Sequence, residues 1–228
     1  MVLDPEALFS IKLSMKVASL STLLVFTFGL PLSYIFATKE FPLKNLLDAL
    51  MTLPVVLTPT VTGYILLLIF GKNGIVGKFI YELFKTGIVF TWYGAVLASF
   101  VVSFPLFVKS ARASIESVDR NLIYASYTLG KSGLETFFKV VLPLAKEGII
   151  AGIVLSFARA LGEFGATLMI AGNIPFRTNT IPIEIYDAVS SGDFEKANVL
   201  TLIVTLISVT VIFVINRLSK KVNWRSNV

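Results

Sequence analysis

Residues 86–108 read TGIVFTWYGAVLASFVVSFPLFV, 23 residues from Thr86 to Val108 without a charge, bounded by Lys85 and Lys109. A helix rises about 1.5 Å per residue, so roughly 20 residues cross the hydrocarbon layer of a bilayer. This stretch is long enough for one crossing. The same punctuation by charge marks Val17–Thr38 (22 residues), Ala49–Gly71 (23) and Ala197–Asn216 (20). A fifth stretch, Gly148–Phe176, has 29 residues and carries only Arg159 and Glu163. The whole chain agrees, with 228 residues, 55% hydrophobic, 15% charged and a mean hydropathy of +0.83. A soluble domain runs near half apolar and about a quarter charged. The pattern predicts an all-α membrane protein, a single domain over 1–228 with five transmembrane helices at about 14–37, 49–71, 86–108, 148–171 and 197–216.

Histidine and cysteine are both absent. That excludes zinc sites built on either residue, Cys-ligated iron–sulfur clusters, His-ligated haem, disulfides and a cysteine nucleophile. The net charge of +6 would suggest nucleic acid in a soluble protein. In a membrane chain it reports Lys and Arg retained on the cytoplasmic side, and no nucleic-acid partner is expected. With the loop between the third and fourth spans inside, the inner segments (39–48, 109–147, 217–228) hold 12 Lys/Arg and 6 Asp/Glu. The outer segments (1–16, 72–85, 177–196) hold 7 of each. Arg217, Lys220, Lys221 and Arg225 follow the last span directly. The expectation is a multi-pass protein of the cytoplasmic membrane, surrounded by lipid, with its N-terminus outside and its C-terminus inside. The opening Met-Val-Leu-Asp-Pro-Glu has no basic n-region and no small-residue cleavage site, which predicts a retained anchor rather than a signal peptide.

Two spans carry polar interruptions. In the second, Pro54 and Pro59 remove two backbone donors, and Thr58, Thr60 and Thr62 supply hydroxyls nearby. Two readings fit: a kinked packing helix, or a helix lining a polar path with Thr58, Pro59 and Thr62 on it. In the fourth, Arg159 and Glu163 stand at i and i+4, on one helix face. An ionisable group at the centre of a span costs about 2.5–3.5 kcal/mol, so it is usually buried and paired. Arg159 suits an anion, but Glu163 would neutralise it and repel the anion, which favours a structural or gating pair. Gly162 and Gly165 would allow close helix approach there. The outer loop Gly172–Lys196 carries Thr178, Asn179, Thr180, Ser190 and Ser191, which fit a solvated loop with a short interfacial helix near Ile181–Val189.

The loop Lys109–Glu147 has 10 charged residues in 39. Asp119 can cap a helix from about Arg120 to Leu129. Gly130 stands where the chain must turn away, a place for left-handed backbone. Ser132 and Glu135 have the spacing of a capping box that starts a second helix. Leu134, Phe137, Phe138 and Val141 give that helix an apolar face, and Pro143 is expected to end its regular hydrogen bonding. No soluble domain, low-complexity tract or internal repeat is apparent.

From Tyr124 the loop reads Y-A-S-Y-T-L-G, nine residues, then V-V-L-P. This resembles the E-A-A-x3-G-x9-I-x-L-P loop shared by ABC importer permeases. Ala125, Gly130, Leu142 and Pro143 match outright, and Ser126 and Val140 are close substitutes. Tyr124 stands where the family has glutamate, so no acidic role is carried over. Finer stretches resemble the permeases of bacterial molybdate uptake: Leu53–Tyr64 (LPVVLTPTVTGY), Ser103–Arg112 (SFPLFVKSAR), Phe157–Thr167 (FARALGEFGAT) and Asn173–Pro182 (NIPFRTNTIP). Sulfate/thiosulfate permeases share the A-R-x-x-G-E-F-G segment but usually carry an additional N-terminal helix.

The resemblance implies a type I ABC importer permease fold with cytoplasmic coupling helices, the loop 109–147 seating in a cleft of an ATPase. It also implies a second permease copy around a two-fold axis, two ATPase copies and an external molybdate-binding protein. The chain has no G-x-x-x-x-G-K-[ST], so it is expected to be no enzyme and to hold no cofactor, with ATP and magnesium on the partner ATPase. A sulfate, thiosulfate or tungstate permease is the near alternative. An ion-coupled carrier or channel is the alternative from another class; four spans without ionisable groups leave it no evident proton relay. A membrane-embedded enzyme would have only Glu163 and Arg159 to work with.

Overall fold

The computed structural model describes the backbone of residues 4–223 and the side chains of residues 4–213. Arg225 lies outside the described residues, as do the side chains of Arg217, Lys220 and Lys221. Eleven α-helices follow in order among the described residues: α1 (Pro5–Thr38), α2 (Lys44–Val56), α3 (Pro59–Phe70), α4 (Ile75–Phe84), α5 (Trp92–Glu116), α6 (Arg120–Thr128), α7 (Gly133–Thr136), α8 (Leu142–Leu161), α9 (Gly165–Ala171), α10 (Ile181–Ser191) and α11 (Phe194–Asn223). A π turn at Phe137–Val141 joins α7 to α8.

Serine hydroxyls fix the direction of the long helices. Ser21 and Ser33 of α1 donate to the carbonyls of Val96 (3.0 Å) and Val108 (3.3 Å) of α5. Both numbers rise together, so α1 and α5 run parallel. Between α5 and α8 the partners descend, Ser99 with Ala160, Ser110 with Gly148 and Ser114 with Ala145, so that pair is antiparallel. Lys196, early in α11, reaches Asp4 ahead of α1, and Leu200 packs with Ala7, so α11 runs with α1. A chain that leaves α1 at one end and enters a parallel α5 at the other must cross back between them. The pair α2–α3 supplies that crossing. Among the described residues, four helical stretches are each long and apolar enough to span a bilayer, and the bent pair taken together is long and apolar enough for a fifth. The start of α1 and the end of α11 therefore lie at opposite ends of the bundle. Such side chain to backbone bonds between apolar helices contribute roughly 0.6 kcal/mol each. Their number and spread along α5 matter more than any single one.

The structure departs from the expected spans where helices are capped or broken. Helix α1 begins at Pro5, because Asp4 accepts the Ala7 N–H at 2.6 Å and proline suits the first turn. Lys12 and Lys16 hide this start from a reading by charge. The Lys16 ammonium sits 3.5 Å from the centre of the Trp92 ring. A Lys–Trp pair of this kind marks a membrane–water boundary, so the turns before Lys16 project past the bilayer.

The second expected span is not one kinked helix. The helix axis turns by 117° from α2 to α3. A residue before proline is pushed out of the helical region, and Thr58 before Pro59 has ψ 144°, with Leu57 extended as well. The fourth expected span is also interrupted: α8 stops at Leu161 and α9 restarts at Gly165. Pro143, expected to end its helix, does not. The Leu142 N–H donates to Phe137, five residues back, and the wider turn admits the proline ring and its missing donor.

Two large apolar clusters occupy the bundle, beside the smaller ones that α11 makes with α1, α8 and α10. One joins α1, α3, α5 and α9 around Val102 and Ile170; the other joins α1, α5 and the start of α8 around Phe107 and Val141. Helix α3 lies against α9 through Gly63, where a Cβ would stand 2.7 Å from both the Ala166 Cα and the Met169 Cβ. Gly63→Ala will force the two backbones apart, an overpacking that costs about 1–3 kcal/mol. A lowered unfolding temperature of the purified protein in detergent checks this; an unchanged one refutes it.

Candidate translocation site and coupling corner

The two interruptions touch. A Cβ on Gly165 would lie 2.9 Å from the Pro59 side chain, so the α2–α3 break and the α8–α9 break form one irregular region. Irregular backbone at membrane depth persists only where protein buries it or where it lines a water-filled cavity. Thr58, Pro59 and Thr60 are exposed on this chain, and the Thr58 hydroxyl caps α3 by accepting the Val61 N–H at 3.4 Å. Thr62, grouped with them from the sequence, is buried and does not share that surface.

Arg159 and Glu163 pair at 2.7 Å, as their spacing predicts, although not as two residues of one helix. Glu163 lies beyond Gly162, the cap of α8, inside the break. Its second oxygen accepts the Ala166 N–H at 2.9 Å and so caps α9. The glutamate side chain is 1% exposed and the arginine 32%. One carboxylate thus holds the arginine and starts the next helix, while the guanidinium keeps an open side. The one atom near a Cβ on Gly162 is the Ala158 carbonyl of the helix it caps, so of the two glycines Gly165 alone makes the close approach expected of both.

The long loop folds as its caps predict. Asp119 accepts the Asn121 N–H at 2.8 Å and starts α6. Gly130 has φ +77°. The capping box forms in both directions, each bond between Ser132 and Glu135 at 3.2 Å. Ser126 is buried and shares a 2.9 Å hydrogen bond with Thr136, which fastens α6 to α7. Ala125, Leu129 and Pro143 come together with Leu122 and Leu144 around a hollow of about 450 Å³. Leu142 is half-buried beside it and Tyr124 is exposed. The expected apolar face is two-sided. Phe137 and Val141 are buried, while Leu134 (74% exposed) and Phe138 (61%) face outward.

A charge cluster at the other end escaped the sequence reading. The Lys196 ammonium pairs with Asp4 at 3.0 Å, with Glu6 at 3.7 Å and with the buried Glu184. Asn179 donates to Glu184 at 2.8 Å, and the Ile181 N–H donates to Ser14 at 2.7 Å. Burial opposes ionisation of Asp4, but the Ala7 N–H and Lys196 together hold its carboxyl below the usual carboxylate range. Thr178, Asn179 and Thr180 are therefore buried, not parts of a solvated loop; Ser190 and Ser191 are exposed, and the expected helix is α10. No local signal could have found a cluster whose members come from the two ends of the sequence.

Comparison with known proteins bears on both regions. The family model for the binding-protein-dependent transport system inner membrane component matches residues 29–226. The chain is 44% identical over 193 residues to the molybdenum transport system permease protein ModB of Escherichia coli (strain K12), covering 85% of this chain and 84% of that one. It is 34% identical over 224 residues to the sulfate transport system permease protein CysT of Salmonella typhimurium, covering 98% and 80%. Among solved structures, a bacterial ABC transporter involved in the import of the polysaccharide alginate has a chain that superposes with a TM-score of 0.77 at 13% identity, covering 96% of this chain and 80% of that one. At that identity the likeness concerns the fold, which is that of type I ABC importer permeases.

Proposed function

The chain belongs to the family of binding-protein-dependent transport system inner membrane components, and from that premise we propose that it is the permease subunit of an importer that carries molybdate into the cell. It is a membrane subunit and not an enzyme. The higher identity to the molybdenum permease than to the sulfate permease favours molybdate. In this reading two copies pair across the exposed surface of Thr58, Pro59 and Thr60, which a single copy leaves facing lipid. An external binding protein delivers the oxyanion to the end that carries α10. ATP and magnesium sit on two copies of a partner ATPase. Its closure pushes α6 and α7, and the path between the two permease copies switches its opening. A tight membrane site is not needed and would slow release.

The observation that carries this reading is the corner itself. A short helix, a left-handed glycine and a capped second helix present outward-facing Leu134 and Phe138 at the end of the bundle where α5 leaves and α8 begins. Vanadate-sensitive molybdate uptake by the reconstituted complex, competed weakly by sulfate, tests it. Uptake insensitive to vanadate would point instead to an ion-coupled carrier, and equal competition to a sulfate permease.

Two expected outcomes belong to this reading. Nothing lies within 4 Å of a Cβ on Gly130, so Gly130→Val acts through its backbone alone, at about 1–2 kcal/mol for left-handed geometry. It should leave the protein inserted but reduce the ATPase that co-purifies with it; normal ATPase binding and normal uptake would remove the corner from the mechanism. The charge distribution further predicts a cytoplasmic C-terminus. A reporter fused after Trp224, which lies outside the described residues, should be active only in the cytoplasmic form, and activity of an externally folding reporter would reverse the assignment.

A further inference from the structure

Helix α4 was read from the sequence as part of an outer loop. It is a ten-residue helix that follows α3 after four residues. Gly77 lets it lie directly on the carbonyls of Phe70 and Gly71, the last turn of α3 and its cap. Phe70 belongs to the same cluster as Trp92, and Trp92 carries the Lys16 ammonium. So α4 sits at the level where the bundle meets the membrane surface, below the projecting turns of α1 and α10.

At 100° per residue, Ile75, Phe79 and Leu83 form one stripe, and Lys78 and Glu82, with Lys85 at the C-cap, form the polar face that adjoins it. The stripe has no partner among the described residues: Ile75 is 91% exposed, and Phe79 and Leu83 exceed 60%. Beside it Lys72, Asn73, Lys78, Tyr81 and Glu82 line a hollow of about 430 Å³, with the Lys72 ammonium 4.8 Å from the centre of the Tyr81 ring. An apolar stripe with lysines on the polar side is the pattern of a helix lying in the membrane surface, and it favours anionic lipid.

We propose that α4 is an in-plane clamp for an anionic phospholipid, with Ile75, Phe79 and Leu83 among the acyl chains and the phosphate in the hollow between Lys72 and Lys78. A docked binding protein would meet the parts that project farther out. The lysines of α4 and its flanks, Lys72, Lys78 and Lys85 against Glu82, match a negative headgroup. The clamp goes beyond the transport reading and does not depend on which anion crosses.

The chain has no cysteine, so an introduced cysteine has no competing site within this subunit, and it is labelled on the purified subunit before the partners are added. A nitroxide is attached to Phe79→Cys or to Lys85→Cys, and the assembled complex is reconstituted into phosphatidylcholine vesicles with or without phosphatidylglycerol. The Phe79 label should collide with oxygen and be shielded from a water-soluble nickel chelate, and the Lys85 label should show the reverse. Phosphatidylglycerol should slow the motion of the Phe79 label, and that response should be lost in a Lys72→Gln, Lys78→Gln background. A Phe79 label open to the chelate, or shielded from both probes as under a protein partner or a second copy, would overturn the proposal. So would a phosphatidylglycerol response that survives loss of both lysines. Uptake is not part of the readout, so failure here and failure of the molybdate reading are separate results.

Discussion

Alanine in place of Glu163 will remove most of the folded protein from detergent extracts. The substitution strands the Arg159 guanidinium at membrane depth and leaves the Ala166 N–H, in the first turn of α9, without its acceptor. Breaking a buried pair from one side costs about 3–5 kcal/mol, a large part of what holds any domain together. Arg159→Ala should lose folded protein as well, because it leaves the Glu163 carboxylate, 1% exposed, with the Ala166 N–H as its remaining donor. The double variant Arg159→Met, Glu163→Leu removes both charges and should recover folded protein, although incompletely, because the cap of α9 is still missing. Glu163→Gln keeps an acceptor for Ala166 and should fold better than Glu163→Ala. Yields of monodisperse protein rank the four variants; no recovery in the double variant would sink the structural pair. Uptake by the same proteins then decides the arginine's role. Full transport by the double variant excludes a required anion contact at Arg159, while a folded but inactive double variant assigns one.

The second large effect belongs at the opposite end. Lys196→Met should lower stability by about 3 kcal/mol, because the buried Glu184 then keeps only Asn179 as a donor while Glu6 and Asp4 remain nearby. Lys196→Arg should retain most of the stability. Adding Glu184→Gln to Lys196→Met should restore part of the loss, since an amide is cheaper to bury than an unpaired carboxylate. Thermal unfolding of the detergent-solubilised protein measures all three. An unchanged midpoint for Lys196→Met would mean that the cluster is no more than a surface ion pair.

What could be read from the sequence divides along physical lines. Apolar length and caps act locally, so the Asp119 and Ser132 caps, the glycine corner and the third crossing were visible before any coordinates, although the helix expected over Thr86–Val108 is α5, which starts six residues later at Trp92 and runs on to Glu116. Proline was legible as a missing donor but not as an angle. At Thr58-Pro59 the result is a full break of 117°, and at Pro143 a π turn that keeps the helix going. The difference lies in the neighbours: Pro59 follows an extended residue, whereas Pro143 sits on helical backbone on both sides. Arg159 and Glu163 were paired correctly from spacing, but the second job of Glu163 depends on where α9 begins. Helix α4 was hidden because ten residues with three glycines nearby give a weak periodic signal. The Lys196 cluster was hidden because Asp4, Glu6 and Lys196 meet only once the bundle has closed.

The parallel seam between α1 and α5 sets a timetable for synthesis. Ser21 and Ser33 each precede their acceptors by 75 residues. At roughly 5–20 residues per second, α1 waits on the order of 4–15 s in the bilayer before α5 has been made. During that interval Ser33 can hold its own Gly29 carbonyl, at 2.7 Å within α1, and so travels with its hydroxyl partly satisfied. Slowing the ribosome between the codons for Thr38 and Trp92 would lengthen the interval and expose a lone first span to membrane proteases. Synonymous changes in that window should therefore alter the yield of a protein whose sequence they leave untouched.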